Sequence, residues 1–509
     1  MKKTRKVWHS LLVGTVGLTL VLSGCSKSGG ASSASPSGSA AGTASATPSA
    51  SSESAANLPP VKLVMHLGVS EQKDQAKVFE KANEIIQKKI NATVDFRYHG
   101  FGTYSDQMNV IVASGEPYDI AFTSNWTNDY VQNVNKGAYA PLDDLLPQYG
   151  KSLLADVDQK YWDATKVNGK IYAVPNIQIE ATSPGIWLQK DLVDKTGFKV
   201  DEMKTIKDIE PFMKAAKEQS GALTWGLDAS RLADLSGWSY IHDFHIPGAV
   251  NLNDPDLKVF NQFESPEYAD LINTNRDWYQ KGYLYKDLSA DGNSLIKAKK
   301  ISWSWLGTYK PGVEAEASSG NGFEVAVKQL GQPITSSNNV RATMFAVSST
   351  SKNPERAVML LDLINSDKEL YNLLVFGIQD VHYKKVGDNR IEPIADSGYT
   401  TDGGWAFGNT FHAYLLPGQP DDVWDQTKKL NESAKVSPLS GFIFNTEPVK
   451  VEVANCTKVW NEMHLLVESG QLDPNVTLPK FLDKLKKAGS DKIIAEMQKQ
   501  VDAFKAAKK

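Results

Sequence analysis

Residues 61–122 switch between two hydrophobic periods, and that switching restricts the fold more than any other feature of the 509-residue chain. Val61-Lys62-Leu63-Val64-Met65-His66-Leu67 is an apolar run of strand length. Ala76, Phe79, Ala82, Ile86 and Ile90 then fall on one helical stripe. Residues 93–98 read as a second strand, 104–113 as a second helix, and 118–122 as a third strand after a turn at Gly115-Glu116-Pro117. Strand, helix, strand, helix, strand at this pace predicts right-handed crossovers and a parallel sheet in an α/β fold. His66-Leu67-Gly68-Val69-Ser70 carries no glycine-rich phosphate fingerprint, which argues against a nucleotide site.

The amino-terminal region is different in kind. Lys2, Lys3, Arg5 and Lys6 precede an apolar run from Leu11 to Leu22, the pattern of a secretory signal. The run falls short of the roughly 20 apolar residues that a membrane span needs. It ends at Leu22-Ser23-Gly24-Cys25, which resembles the bacterial lipobox. That resemblance implies removal of residues 1–24 and a diacylglycerol on the sulfur of Cys25, holding the protein at the outer face of the cell membrane. Two acyl chains anchor stably where one binds only reversibly. Residues 26–60 are Ser, Ala, Gly, Thr and Pro with almost no charge or bulk, so 25–60 reads as a lipidated cysteine and a disordered linker. A coil of this length spans roughly 30–35 Å root-mean-square.

Composition excludes several classes. Lys and Arg total 55 against 59 Asp and Glu, so no basic excess points to nucleic acid. With Cys25 lipidated, Cys456 has no disulfide partner and reads as a buried small hydrophobe in a helix. No Gly-x-Ser-x-Gly elbow or His-Glu-x-x-His motif is present, and the chain does not read as an enzyme. His242 and His245 could share a helix face but lack a third metal ligand. The oxygen-rich stretch from Asn251 to Asp256 reads as a turn, not a calcium loop. No metal or cofactor is expected.

Several short motifs occur in one order: Tyr118-Asp119-Ile120-Ala121-Phe122, residues 137–145 (GAYAPLDDL), residues 168–175 (NGKIYAVP), Met344-Phe345-Ala346-Val347-Ser348, and residues 351–357 (SKNPERA). That order resembles the extracellular solute-binding proteins of ABC importers, family 1. Gly377-Ile378 to His382-Tyr383, residues 437–442 (SPLSGF), 447–450 (EPVK), 485–489 (LKKAG) and 496–500 (EMQKQ) are similar to the LipO-type lipoproteins of that family. The resemblance implies a type II fold of two α/β lobes, with parallel-type sheets flanked by helices and hinge strands crossing between them. Lobe 1 is expected at 61–176 with about 339–373 and part of the C-terminus, and lobe 2 at 189–328 with about 383–440. A C-terminal helical block follows at 441–509, and crossings are expected near 177–188 and 374–382. Independently of the resemblance, Asn353 is a candidate N-cap with Pro354 at the first helical position, and Gly489 a candidate helix end.

Twelve tryptophans, one of them Trp8 in the leader, are the compositional oddity. A sugar ring has an apolar C–H face that an aromatic ring covers, and hydroxyls that need polar partners. Candidate ligand-binding residues are Asn125 and Trp126 after the third strand, Glu180 and Trp187 on the first crossing, and Trp303, Trp305 and Tyr309 in and after an alternating segment. Arg341 at the return strand, His382 on the second expected crossing and Trp405 in a glycine-bracketed loop complete the set. Trp278, Trp424 and Trp460 read as packing residues, while Trp162, Trp225 and Trp238 are unassigned. The expected function is capture of a saccharide, without chemistry on it, by a monomer that delivers it to membrane permease subunits. A secreted glycan-degrading enzyme, a binder of peptides or another non-sugar solute, and a surface adhesin are the competing readings.

Overall fold

The computed structural model of the chain describes residues 58–399 and 404–508. The leader, Cys25 and the linker as far as residue 57 lie outside the described residues. The strands, in chain order, begin with β1 (Val61–Leu67), β2 (Ala92–Tyr98), β3 (Ile120–Thr123), β4 (Ala173–Pro175) and β5 (Gly185–Gln189). Next come β6 (Trp238–Tyr240), β7 (Ala249–Asn251), β8 (Trp303–Trp305), β9 (Val325–Gln329) and β10 (Ile334–Thr335). The last are β11 (Met344–Val347), β12 (Tyr383–Lys385), β13 (Ile391–Pro393) and β14 (Lys435–Val436).

Lobe 1 is built on the sheet β2-β1-β3-β11-β4. β1 pairs in parallel with β2 and β3, as the crossover helices Gln75–Ile90 and Phe101–Ser114 require. The return strand β11 runs antiparallel to both β3 and β4. Met65, Ile120, Phe122, Phe345 and Leu361 form part of its fully enclosed core. Each such side chain contributes about 1.5–3 kcal/mol by leaving water. The helix Pro354–Ser366 starts where expected, but Asn353 makes no capping bond with its side chain. Its backbone N–H donates to Ser351 Oγ (3.1 Å) instead.

Lobe 2 centres on β5, which is buried along its whole length. Ile186 and Leu188 face one apolar cluster, and Trp187 faces another. β8 and β9 both pair antiparallel to β5, on opposite sides of it. They therefore run the same way, joined by the helix Val313–Asn321, so strand–helix–strand logic persists around an antiparallel centre.

The segments joining the lobes are short. Residues 176–184 lead from β4 to β5, and Thr182 exchanges backbone hydrogen bonds with Ile334 (2.9 Å each way). β10 pairs in parallel with β14. The crossing expected near 374–382 is not a crossing. Its start belongs to the helix Lys368–Phe376, after which the chain doubles back into the hairpin β12–β13. Tyr371, Leu374, Val375, Ala406 and Phe407 are enclosed with the lobe 1 core, so the first part of the 383–440 segment packs on lobe 1.

The C-terminal helices Lys450–Glu468, Pro474–Ala488 and Ser490–Ala507 extend lobe 2. Cys456, Phe481, Leu485, Met497 and Val501 join its core, and Phe481 meets Phe263 edge-on at 5.1 Å. Gly489 ends the middle helix at φ 107°, and a Cβ there would lie 2.4 Å from Glu452 Cγ, so glycine is required. Burial pushes the Cys456 thiol up to about 11, consistent with a packing role. Among the described residues no helix is long and apolar enough to cross a membrane.

Candidate functional site

A cavity of about 1590 Å³ opens beside the joining segments, which contribute Thr182, Ile334 and Ser437 to its lining. Lobe 1 supplies Asn125 and Trp126, the helix Tyr130–Asn135 and the helix Ser337–Val340 with Arg341. Lobe 2 supplies β6 and the loop through Phe244. The C-terminal block supplies residues 441–447 together with Gln500 and Phe504.

Local chemistry explains why Trp126 projects. Ser124 Oγ accepts the backbone N–H groups of Trp126 (3.1 Å) and Thr127 (2.8 Å), folding a tight turn at the end of β3. Asp129 then caps the next helix by accepting from Gln132 N (2.7 Å). The indole of Trp126 is left 53% exposed. Its Nε1 donates to Ala342 O (2.8 Å), and its ring leans on Phe122 and Trp405 at centroid distances of 6.2 and 6.1 Å. Asn125 Nδ2 donates to Asn338 O (3.2 Å).

Arg341 is buried and ties two walls together. Its Nε donates to Ala164 O (2.6 Å), and its Nη1 reaches Phe442 O (3.5 Å) in the C-terminal block. Nη2 has no partner. Desolvation lowers this guanidinium to about 10, while Tyr130 and Asp129 act in the opposite direction. Asp129 and His242 influence each other from opposite lobes. Desolvation raises the Asp129 carboxyl above its usual range, against the pull of its helix-cap bond, His242, Lys136 and Arg341. Desolvation also lowers the His242 imidazole, with Asp243 and Asp129 opposing.

Of the residues expected from sequence, the structure brings Asn125, Trp126 and Arg341 to the cavity. Trp405 stands behind Trp126 and offers its carbonyl to Asn176 Nδ2 (3.2 Å). The others lie away from it. Trp303 is fully buried in the lobe 2 core, edge-on to Trp278 at 6.5 Å, and Trp305 packs beside it at 5.8 Å. The two rings share a face of β8, and that face turns inward. Trp187 packs edge-on against Phe323 (5.9 Å), and Tyr309 belongs to the same cluster. His382 closes a turn: its Nδ1 accepts from Ile378 N (2.8 Å) and its Nε2 lies 3.4 Å from Asp74. Glu180 is 3% exposed in the joining segment, where desolvation holds its carboxyl well above the usual range. Its backbone and that of Ala181 are held by Asn431 Oδ1 at 2.8 and 3.0 Å.

Trp238, Tyr240, His242, Phe442 and Phe444 line the cavity without having been expected there. The signal was present in Trp238-Ser239-Tyr240-Ile241-His242-Asp243-Phe244, which mixes aromatic and polar side chains in a short strand and loop. His242 and His245 follow β6 in a loop, and His245 Nδ1 pairs with Asp243 (2.8 Å). The Asn251–Asp256 stretch is a turn in which Lys505 Nζ donates to Pro255 O (3.1 Å) and Asp256 O (2.7 Å). Among the described residues no group of three or more His, Cys, Asp or Glu is placed to hold a metal ion.

Residues 70–370 match the bacterial extracellular solute-binding protein family, and residues 438–506 match a domain of unknown function, DUF3502. A carbohydrate ABC transporter substrate-binding protein of Streptococcus pneumoniae serotype 4 is 31% identical over 439 residues, covering 84% of this chain and 88% of that protein. Lipoprotein LipO of Bacillus subtilis is 23% identical over 196 residues, 37% of this chain and 38% of LipO. The solved N-glycan transport solute binding protein NgtS of Streptococcus pneumoniae superposes with a TM-score of 0.79 at 30% identity, covering 89% of this chain and 100% of that one. Its complex with Man5GlcNAc superposes with a TM-score of 0.74. Two cores joined by short crossing segments around a large cavity, on a chain with these relatives, belong to the bacterial extracellular solute-binding protein family.

Proposed function

We propose that this protein captures an oligosaccharide outside the cell and delivers it to the permease of an ABC importer. The observation that carries the reading is the cavity itself. At about 1590 Å³ it exceeds the roughly 300–1,000 Å³ of a drug-sized pocket, so it has room for several sugar rings. Trp126, with the partly exposed Tyr240 and Phe504, offers apolar faces to ring C–H groups, and Asp129, His242 and Asn445 offer partners to hydroxyls. Both lobes contribute, so a ligand touching both walls favours the closed arrangement by binding it more tightly. The relatives support the same class of cargo: NgtS is an N-glycan transport protein, and the 31% identical pneumococcal relative serves a carbohydrate ABC transporter.

In this reading the protein acts as a monomer and leaves its cargo unaltered. Cys25 carries the lipid that keeps it at the cell surface, a view supported by the lipobox pattern and by the similarity to lipoprotein LipO. Thermal unfolding against saccharide and peptide panels tests the cargo. A saccharide that binds the folded form adds about 2.7 kcal/mol of stability at a hundredfold excess over Kd. A shift with peptides alone would refute the reading. Recovery of the saccharide in shortened form would favour the glycan-degrading alternative. Replacing Cys25 by Ala should move the protein from the membrane fraction into the medium.

A further inference from the structure

We propose that the cavity selects an uncharged oligosaccharide and rejects chains built from uronic acids. This inference rests on the oligosaccharide reading and narrows it. Five carboxyl groups stand on the lining: Asp129, Asp163, Asp234, Asp243 and Glu447. The cations there are Lys136, Lys166 and Arg341, fewer than the acids. Lys136 Nζ donates to Gln132 Oε1 (2.7 Å) and Lys166 Nζ to Asp163 Oδ1 (2.7 Å), while Asp243 pairs with His245 (2.8 Å) and Glu447 with Lys450 (3.1 Å), so Asp129 and Asp234 are the acids outside these pairs. Arg341 spends Nε and Nη1 on the carbonyls of Ala164 and Phe442, and the remaining Nη2 is buried. One donor does not make the paired fork that grips a carboxylate. His242 stands exposed on the lining with its imidazole lowered from the ordinary value of 6.5, so at neutral pH it adds no compensating charge.

Hydrogen-bond polarity points the same way. A carboxylate only accepts, whereas a sugar hydroxyl both donates and accepts. A wall with surplus carboxylates therefore satisfies hydroxyls as donors and leaves a uronate facing acceptors of its own charge. The partly desolvated walls strengthen that repulsion, because low local polarity screens it less than water does.

The test uses a matched pair. β-1,4-linked manno-oligosaccharides and the corresponding mannuronate oligomers differ at C6, where a hydroxymethyl replaces a carboxylate. Both are titrated into the purified protein by calorimetry, within a wider panel of neutral gluco-, galacto- and N-acetylated oligosaccharides and of oligogalacturonates with their methyl esters. Neutral or esterified oligomers should bind, with the free-acid counterpart weaker by about tenfold or more. A uronate that binds as tightly as its neutral counterpart overturns this inference and leaves the oligosaccharide reading intact. Binding by no saccharide of either kind overturns that reading, and the inference with it. A variant carrying Asp129→Asn and Asp234→Asn, the first of which keeps an acceptor for Gln132 N, should bring the neutral-to-acidic affinity ratio closer to one. An unchanged ratio would refute charge as the cause of the selectivity.

Discussion

Trp126 and Trp303 present the same side chain near the end of a strand, one in each lobe, yet they meet opposite surroundings. Trp126 follows β3 in a turn held by Ser124 and stands 53% exposed at the cavity. Trp303 sits in β8 with its indole wholly enclosed against Trp278. The difference lies in the backbone rather than in the residue. A turn after a strand lifts a side chain off the sheet, whereas a position within the strand commits it to one face. Exposed, a large aromatic can present a face to a ligand; enclosed, it holds the lobe together.

The largest effect should come from the enclosed member. Trp303→Ala should cost about 3–5 kcal/mol of stability, read as a lowered denaturation midpoint. A change below about 0.5 kcal/mol, ordinary for surface positions, would break the comparison. The joining segment comes next. Asn431 accepts the N–H groups of Glu180 and Ala181 and donates to Gln178 O (2.8 Å). Asn431→Ala strands these buried groups and should cost about 2–3 kcal/mol in the same assay. Trp126→Ala should do the reverse of Trp303→Ala. Stability should fall by about 1 kcal/mol or less, while saccharide affinity drops about tenfold, equivalent to about 1.4 kcal/mol. Equal affinity in the variant would remove Trp126 from the site.

A further effect, spread over pH, concerns charge within the lobe 2 interior. Glu468 accepts from Tyr268 Oη (2.9 Å), and burial pushes its carboxyl up to about 8, helped by Asp228 and opposed by the Tyr268 bond. The folded protein keeps this proton up to that pH, whereas the unfolded chain releases it near the ordinary value of 4.5. The associated stability is complete below the unfolded value and is lost as pH rises through the folded one. Glu468→Gln cannot ionise, so its melting temperature should fall less than the parent's between about pH 5 and 8. Parallel profiles would contradict the assignment.

The parallel start of lobe 1 was legible because its strands and helices are long enough to show both periods, from Val61 to Phe122. The helix end at Gly489 was legible from one residue type. The joining strands were not, since Ile334–Thr335 and Lys435–Val436 are too short to carry a period. Alternation in Ile301-Ser302-Trp303-Ser304-Trp305 correctly places both rings on one face, but which face is a tertiary question. The lobe 2 wall at His242 and Phe244 shows in the composition of residues 238–244 but not in any period, since a loop has none to read. The Arg341 link to Phe442 joins residues 101 positions apart, beyond any local pattern.

Hydrogen–deuterium exchange of the protein with and without a saturating saccharide tests the central claim most directly. Ligand should protect residues 125–136, 238–244 and 441–447 together while leaving β8 unchanged. Protection centred on 303–309, with none at 238–244, would place the ligand elsewhere and contradict capture between the lobes.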